Sequence, residues 1–351
     1  MTFSTRSPHT MLPGCGAWPW LAWGYVVLVV GWAALYLLFH ERWWWLALLN
    51  TFAVYLFAPL PLLALLAAWT RRPSLWLGVA VVAALGLVFF GRHLLPPPVS
   101  ASAAGPSLTV LTANVLATHD ETAPVLAALR ASGADLIALQ ELNPTLAAAL
   151  QRELADEYPY QFLAPKANFD GMGILSRYPL EPLHEEMGDW WVGDPQVVEL
   201  DLDAFPVTVL NFHAIPPGDL LHPATRDAAR ARQAGQIVAL SQRRPGPYLA
   251  LGDLNASERS GAYRLIAGSL TDVWREAGWG LGHTFPGGVT PGGSRPRLGG
   301  VYVPQWLIRI DYIFASPHWQ PLRASIGPWD GLSDHRPVRA VLGLHASLNE
   351  Q

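Results

Sequence analysis

Three long apolar runs open the chain, and short apolar runs that end on polar residues follow them. Trp18 to Phe39 carries no charge over 22 residues, Trp43 to Thr70 none over 28, and Pro73 to Gly91 none over 19. A bilayer core takes about 20 apolar residues as helix, so each run is long enough to span. Tryptophans 18, 20, 43, 44, 45, 69 and 76 crowd the ends of these runs, as amphipathic rings do at headgroup level. Pro59 and Pro61 lie inside the second run and would kink it or split it into a shallow hairpin. Three spans are expected, with two as the alternative. The pattern divides the chain into a tail (1–17), a transmembrane region (18–92, helices at 18–39, 43–70 and 73–91), a Pro/Ala/Ser linker (93–106) and a second domain (107–345).

In the second domain the pattern predicts strands at 108–115, 134–142, 171–176, 197–202, 207–213, 247–256, 308–316 and 336–343. Helices are expected at 121–132, at 143–154 with Asn143 as N-cap and Pro144 at the first helical position, and at 223–243. Helices alternating with apolar strands predict a layered α/β or α+β sandwich, its sheets covered by helices.

Charge sharpens the division. Before Gly105 the only acid is Glu41, and the basic residues are Arg6, Arg42, Arg71, Arg72 and Arg92. All but one of the 27 acids and all but five of the 23 bases therefore lie beyond it, a balance of −8. Duplex binding draws non-specific affinity from Lys and Arg on phosphates, and this domain lacks that overall field. Three spans with the N-terminus inside place three arginines in the cytoplasm and two outside, which favours an extracytoplasmic second domain. Cys15 is the only cysteine, so an intrachain disulfide is excluded. Its "LPGC" setting resembles a lipoprotein box, but no apolar segment precedes it, and it reads as a free cysteine. Ala101–Ala104 resemble a signal-peptidase site within a plain linker.

Polar residues stand at the predicted strand ends: Asn114, Glu141, His213, Asp253 with Asn255, Asp311, and Asp334 with His335. Side chains of several strands converge at such an edge. Singly, each has an ordinary reading: Asp253 and Asn255 as turn formers, Glu141 as an acid at a helix start, His213 as a core histidine, Asp334 as a cap. Their joint occurrence is what those readings explain poorly.

The pieces "TANV" (Asn114), "LQE" (Glu141), "GMGILSRYPL" (171–180), "NFHAIPP" (His213), "GDLNA" (Asp253, Asn255), "IRIDYIFAS" (Asp311) and "SDHRPV" (Asp334, His335) resemble, in order, the endonuclease/exonuclease/phosphatase family that includes deoxyribonuclease I and exonuclease III. The resemblance covers about Ser107 to Leu344 and none of the membrane half. It implies a four-layered α/β sandwich with two central β-sheets, here preceded by transmembrane helices, and Mg²⁺- or Mn²⁺-dependent cleavage of phosphate esters. Ala113 departs from the aromatic or asparagine common there, and the active-site tyrosine of apurinic endonucleases has no clear counterpart.

The resemblance assigns Glu141 as the first metal ligand, with Asn114 beside it and Asp334 as a further candidate. It pairs His335, the candidate acid/base, with Asp311, which would fix its tautomer. Asp253 would orient or deprotonate the water, while Asn255 and His213 donate to phosphoryl oxygens; Asp253 and His335 both stay open as the proton acceptor. The expected function is a membrane-anchored phosphoesterase acting on nucleic acid or a phospholipid headgroup, with no evident protein partner. The alternative is a catalytically silent, membrane-tethered binding or scaffold domain. A transporter ranks last, because the spans carry no ionisable residue at mid-depth. The Gly/Pro-rich insertion 286–306, with Arg295 and Arg297, is either a substrate loop or surface slack.

Overall fold

The structure, a computed structural model, describes residues 18–97, 105–188, 191–217, 223–289, 293 and 295–345. The stretches around Cys15 and Ala101–Ala104 lie outside the described residues. The chain forms two compact units, one of residues up to Phe39 with Ala53–Gly91, the other of His40–Phe52 with Arg92 onward.

In the first unit, α1 (Trp18–Phe39) is one unbroken helix. The 43–70 run is not. Helix α2 (Trp44–Thr51) belongs to the second unit, a 3₁₀ turn follows at Ala53–Phe57, and α3 covers Leu60–Thr70. Pro61 falls in the first turn of α3, where its missing N–H costs nothing, whereas deeper in a helix it would break the ladder. Helix α4 (Pro73–Leu94) follows. Three stretches, Trp18–Phe39, Ala53–Thr70 and Pro73–Leu94, are long and apolar enough to cross a membrane. Their inward side chains, Val26, Val29, Leu63 and Val82 among them, pack together, while Leu21, Leu38, Leu62 and Leu87 point out and are equally apolar. A helix apolar all round suits lipid rather than water.

The second unit holds two six-stranded mixed sheets. Along the chain run β1 (Ser107–Asn114), α5 (Ala123–Ser132), β2 (Leu136–Gln140), α6 (Pro144–Glu153), β3 (Tyr160–Ala164), β4 (Met172–Ser176), β5 (Leu180–Leu183), β6 (Gln196–Leu202), β7 (Phe205–His213), α7 (Pro223–Arg243), β8 (Tyr248–Asp253), α8 (Gly261–Ala267), β9 (Thr271–Asp272), α9 (Val273–Ala277), the hairpin β10 (Arg297–Leu298) and β11 (Val301–Tyr302), β12 (Asp311–Ala315), β13 (Trp319–Ile326) and β14 (Val338–Leu344). One sheet has the order β13-β14-β1-β2-β4-β3, the other β5-β6-β7-β8-β12-β9. Asn143 caps α6 as expected, its side chain accepting from Leu146 N at 2.8 Å.

Period-two alternation makes this a sandwich. Leu108 and Val110 of β1, Leu136 and Ala138 of β2, Val207 and Val209 of β7, Leu249 and Leu251 of β8, and Ile313 and Ala315 of β12 share the core between the sheets. The alternate residues pack outward. Leu111, Ile137 and Leu139 meet α5 and α6, and Leu210, Ala250 and Phe314 meet α7 and α8. The result is four layers, helix–sheet–sheet–helix.

Beyond the apolar core, the inner faces carry a row of amides. Asn211, fully buried, accepts from Gln140 Nε2 at 2.7 Å and donates to the carbonyls of Leu139 and Gly173 and to Gln196 Oε1. Gln196 in turn donates to Phe162 O at 3.0 Å. This network stitches the two sheets just below the strand ends. A second buried polar cluster holds the start of β12: Arg309 donates to Glu258 at 2.8 Å and to both oxygens of Asp272.

Residues 40–52 and 92–94, counted with the membrane region and linker on sequence, pack within this second unit. Glu41 accepts from Gly261 N at 2.5 Å, and Arg92 donates to Arg275 O at 2.7 and 2.9 Å.

Replacing Asn211 by Leu removes the acceptor of the Gln140 amide N–H and the donor to Gln196 Oε1 and to the carbonyls of Leu139 and Gly173, all of them buried. It is expected to lower stability by about 3 kcal/mol, read as a lower unfolding midpoint of the detergent-solubilised chain.

Candidate active site

The strands that build the core also build the site, because the same inner faces continue to the strand ends. In β1 the series Leu108, Val110, Thr112 leads to Asn114. In β7 it leads through Asn211 to His213, in β8 through Leu251 to Asp253, and in β12 back from Ile313 to Asp311. Registry then sets them side by side: His213 pairs with Asp253 across the parallel β7–β8 ladder, and Asp311 pairs with Asp253 across the antiparallel β8–β12 ladder. Gly252 permits the close approach of β7 and β8, since a side chain there would strike the Phe212 carbonyl.

All eight sequence-predicted residues come to this edge. Asn114, Glu141, His213, Asp253, Asp311, Asp334 and His335 are buried, and Asn255 is half-buried. Asp311 meets His335 Nδ1 at 2.9 Å. The opposite nitrogen, Nε2, stands 3.8 Å from Asp253 Oδ2, and His213 Nε2 stands 3.6 Å from the same oxygen. Two imidazoles therefore flank one carboxylate oxygen. Asp253 Oδ1 accepts from Asn255 N at 2.8 Å, and the Asn255 amide donates to Ala214 O at 2.9 Å. Asn114 Nδ2 donates to Glu141 Oε1 at 2.9 Å, and Ala117 N donates to Glu141 Oε2 at 3.3 Å. The Asn114 oxygen is turned to Leu116 N at 3.1 Å, so in this arrangement Asn114 orients Glu141 rather than offering its own oxygen to the groove.

The electrostatics follow from burial and neighbours. Burial, then the facing Asp311, pushes the Asp253 carboxyl well above the usual range, against the pull of His335. Burial alone would lower the His335 imidazole; Asp311 and then Asp253 outweigh it and hold His335 well above its ordinary value. His213 is driven the other way, to about 3, by burial and then by the nearby His335. The pair thus separates into an imidazolium at 335 and a neutral ring at 213. Burial raises Glu141, with the Asn114 hydrogen bond opposing.

The groove over these residues has a volume of about 440 Å³. Its floor is Glu141, His213, Asp253, Asn255, Asp334 and His335, and its walls include Phe169, Val192, Pro216, Phe285 and Ile308. No Lys or Arg lines it among the described residues. Ligand atoms of Asp253, Asp311 and His335 lie within 4.8 Å of one another, near enough for a shared cation. Glu141 and Asp334 also line the groove, and the Asp334 charge adds to the rise of Glu141. A buried acid such as Glu141, raised by desolvation and with no Lys or Arg among the described residues lining its groove, is the donor that a hard divalent cation with oxygen ligands fits.

Sequence reasoning missed several contributors. Phe285 lies 5.0 Å from the His335 ring, centroid to centroid. Ser333 accepts from His335 N at 3.0 Å and donates to Asn114 O at 2.7 Å, locking the last motif to the first. Thr284 Oγ1 accepts from Ile310 N at 3.2 Å. Ser333 lies in the "SDHRPV" motif and was legible there; Phe285 and Thr284 carry no local signal. Arg336, next to His335, precedes β14, is half-buried, donates to His283 O and lies over Trp306 at 4.4 Å.

Comparison with known proteins supports the same architecture. A sequence profile of the Endonuclease/Exonuclease/phosphatase family matches residues 111–335. Among solved structures, a family protein from Bacteroides vulgatus superposes with a TM-score of 0.51 at 19% identity, covering 68% of this chain and 100% of that one. TDP2 from D. rerio, complexed with a single-strand DNA product, gives 0.52 at 16%, covering 68% and 99%. A family protein from Bacteroides thetaiotaomicron gives 0.50 at 18%, covering 68% and 98%. These identities speak for the fold alone. No curated protein sequence matches the chain. With the family profile spanning well over half of its length, and both sheets in place, this chain belongs to the endonuclease/exonuclease/phosphatase family of phosphoester hydrolases.

Proposed function

We propose that this chain is a membrane-anchored, Mg²⁺- or Mn²⁺-dependent phosphodiesterase that hydrolyses its substrate by attack of an activated water. The observation that carries the reading is the row His213–Asp253–Asp311 with His335 set against it, at the floor of an apolar-walled groove. Enzymes of this family generally use divalent metal ions. Glu141 would hold the ion, steadied by Asn114, with Asp334 as the second carboxylate. When bound, the ion would neutralise charge on the phosphoryl and leaving oxygens.

The chain's own residues then divide the work. Asp253, made more basic by burial and by Asp311, takes the proton of the attacking water. The water oxygen bonds to phosphorus as the ester P–O bond breaks, and the leaving oxygen takes up, through solvent, the proton that Asp253 received, giving a phosphate monoester and an alcohol. His335, kept as an imidazolium by Asp311 and Asp253, faces the charge that grows on the phosphoryl oxygens. His213 remains neutral and donates a hydrogen bond, as does the Asn255 amide. The Asp311–His335 pair is engaged in its own 2.9 Å contact, which favours the acid/base reading of that corner over a metal site. The membrane-length helices and the absence of Lys or Arg lining the groove among the described residues favour a phospholipid headgroup over nucleic acid, whose flanking phosphates ask for cations.

The full chain in detergent is expected to hydrolyse bis-p-nitrophenyl phosphate, to lose that activity in EDTA and to regain it with Mg²⁺ or Mn²⁺. His335→Ala should lower kcat by about 10³-fold; activity that survives both EDTA and this substitution contradicts the assignment.

Glu141→Gln should raise the Mg²⁺ concentration needed for half-maximal rate by at least about tenfold, leaving the saturated rate less affected. A metal titration of the rate separates the two effects.

Asp311→Asn removes the largest contribution that raises His335. The imidazolium is then lost at lower pH, and Asp253, relieved of the facing charge, ionises at lower pH, so both limbs of the kcat–pH profile should move down. An unmoved alkaline limb would show that Asp311 does not set the His335 charge.

A further inference from the structure

The insertion 286–306 remains without a role, and its two ends do different things. Its base is part of the site. Gly287 N donates to Asp334 O at 2.6 Å, Gly288 N donates to Ser333 O at 3.3 Å, and Trp306 N donates to Pro286 O at 2.9 Å. The flanking Phe285 and Ile308 wall the groove. The far end is the hairpin β10–β11, which turns through Gly299 and Gly300, both at positive φ, as a two-residue hairpin turn requires.

The hairpin is two-faced. Leu298 and Val301 pair across the turn and are 73% and 71% exposed. Arg297 and Tyr302 pair one step back, with the guanidinium 4.0 Å from the ring centroid and Arg295 at 5.3 Å from it. Val289, in the same insertion, is 54% exposed. A two-stranded ribbon with its apolar pair in water is marginal by itself. Residues 286–306 contain two arginines and no acid, inside a domain whose balance is −8. Apolar side chains beside a ring and a cation, in an insertion without an acid, match the acyl–headgroup boundary of an anionic bilayer.

We infer that the tip of this hairpin, Arg297–Tyr302, is a lipid-contact site that seats Leu298 and Val301 in an anionic membrane surface while its arginines meet the headgroups. Because the base of the same insertion packs on Asp334 and walls the groove, the contact would bring the groove to lipid phosphate esters. The inference rests on the chain's residence in a membrane but not on its hydrolytic activity.

The test uses the full chain with Cys15→Ser and Leu298→Cys, labelled at residue 298 with an environment-sensitive fluorophore and reconstituted at one chain per nanodisc. In discs of anionic lipid the emission should shift to the blue, and spin-labelled lipid should quench it about twofold. The same label at Glu181→Cys, on the exposed edge strand β5, should stay water-like. A water-like label at 298, or equal quenching at 181 and 298, overturns the inference. Equal quenching in uncharged discs overturns the anionic assignment. A blue shift that needs a second chain in the disc, without quenching by lipid, assigns the tip to a second copy instead. A chain that fails to enter the discs overturns the membrane reading and this inference with it, and leaves the hydrolytic assignment standing.

Discussion

Two carboxylates facing each other in a dry place set the terms for this site. Asp253 and Asp311 are register partners on neighbouring strands, and both are buried. Like charges directly opposed across a ladder repel, and burial sharpens the repulsion. The fold answers with one imidazole. His335 meets Asp311 through Nδ1 and faces Asp253 through Nε2, so one positive charge serves both acids. Everything that holds His335 in place therefore holds the pair together: Ser333 from below its backbone, Phe285 over its ring, and the Asn114 carbonyl that anchors Ser333. The first and last strands of the domain, β1 and β14, are hydrogen-bonded neighbours, which is why motifs more than 200 residues apart can lock together.

The inner faces of the two sheets pass through three zones. The middle is aliphatic, the next step is the amide row of Gln140, Asn211 and Gln196, and the last is the charged edge. The amide row has a physical purpose. It shields the aliphatic core from the charged edge with groups that satisfy one another, and it fixes the spacing of the sheets where the reacting groups must be placed to fractions of an ångström.

This zoning explains what the sequence disclosed. Asn114, His213, Asp253 and Asp311 were legible because each ends an alternating strand, and the same two-residue period that buries the valines and leucines aims them inward. The helix at 223–243 was legible by its length and pattern. Strands β3 and β5 were not, since each is short and only partly buried. Strand β13 carries Pro321 and a register shift beside it; proline is tolerated there because β13 is an edge strand. Phe285 and Thr284 were hidden for a different reason: their contacts with the site are made across long sequence separations, which no local pattern encodes. Arg336 sits next to His335 in a conspicuous motif, yet its partner Trp306 comes from the insertion, so its stacking was likewise invisible.

Glu141 shows where alternation itself gives out. Gln140 ends β2 pointing between the sheets, so the next residue of a regular strand would point to the helical layer. Glu141 instead adopts a left-handed backbone, φ +61°, and its carboxylate returns to the inner edge beside Asn114. Two consecutive side chains thus serve the same face, one in the amide row and one in the site. A left-handed glutamate costs on the order of 1 kcal/mol or more. The Asn114 amide and the Ala117 N–H, both donating to its carboxylate, offset that cost. Asn255 also takes a left-handed turn after its strand, φ +52°, but asparagine tolerates that conformation well. Of the two, only Glu141 occupies such a backbone against its residue type. The strain stored there is what places a carboxylate in the groove that the strand alone would have sent to the opposite side of the sheet.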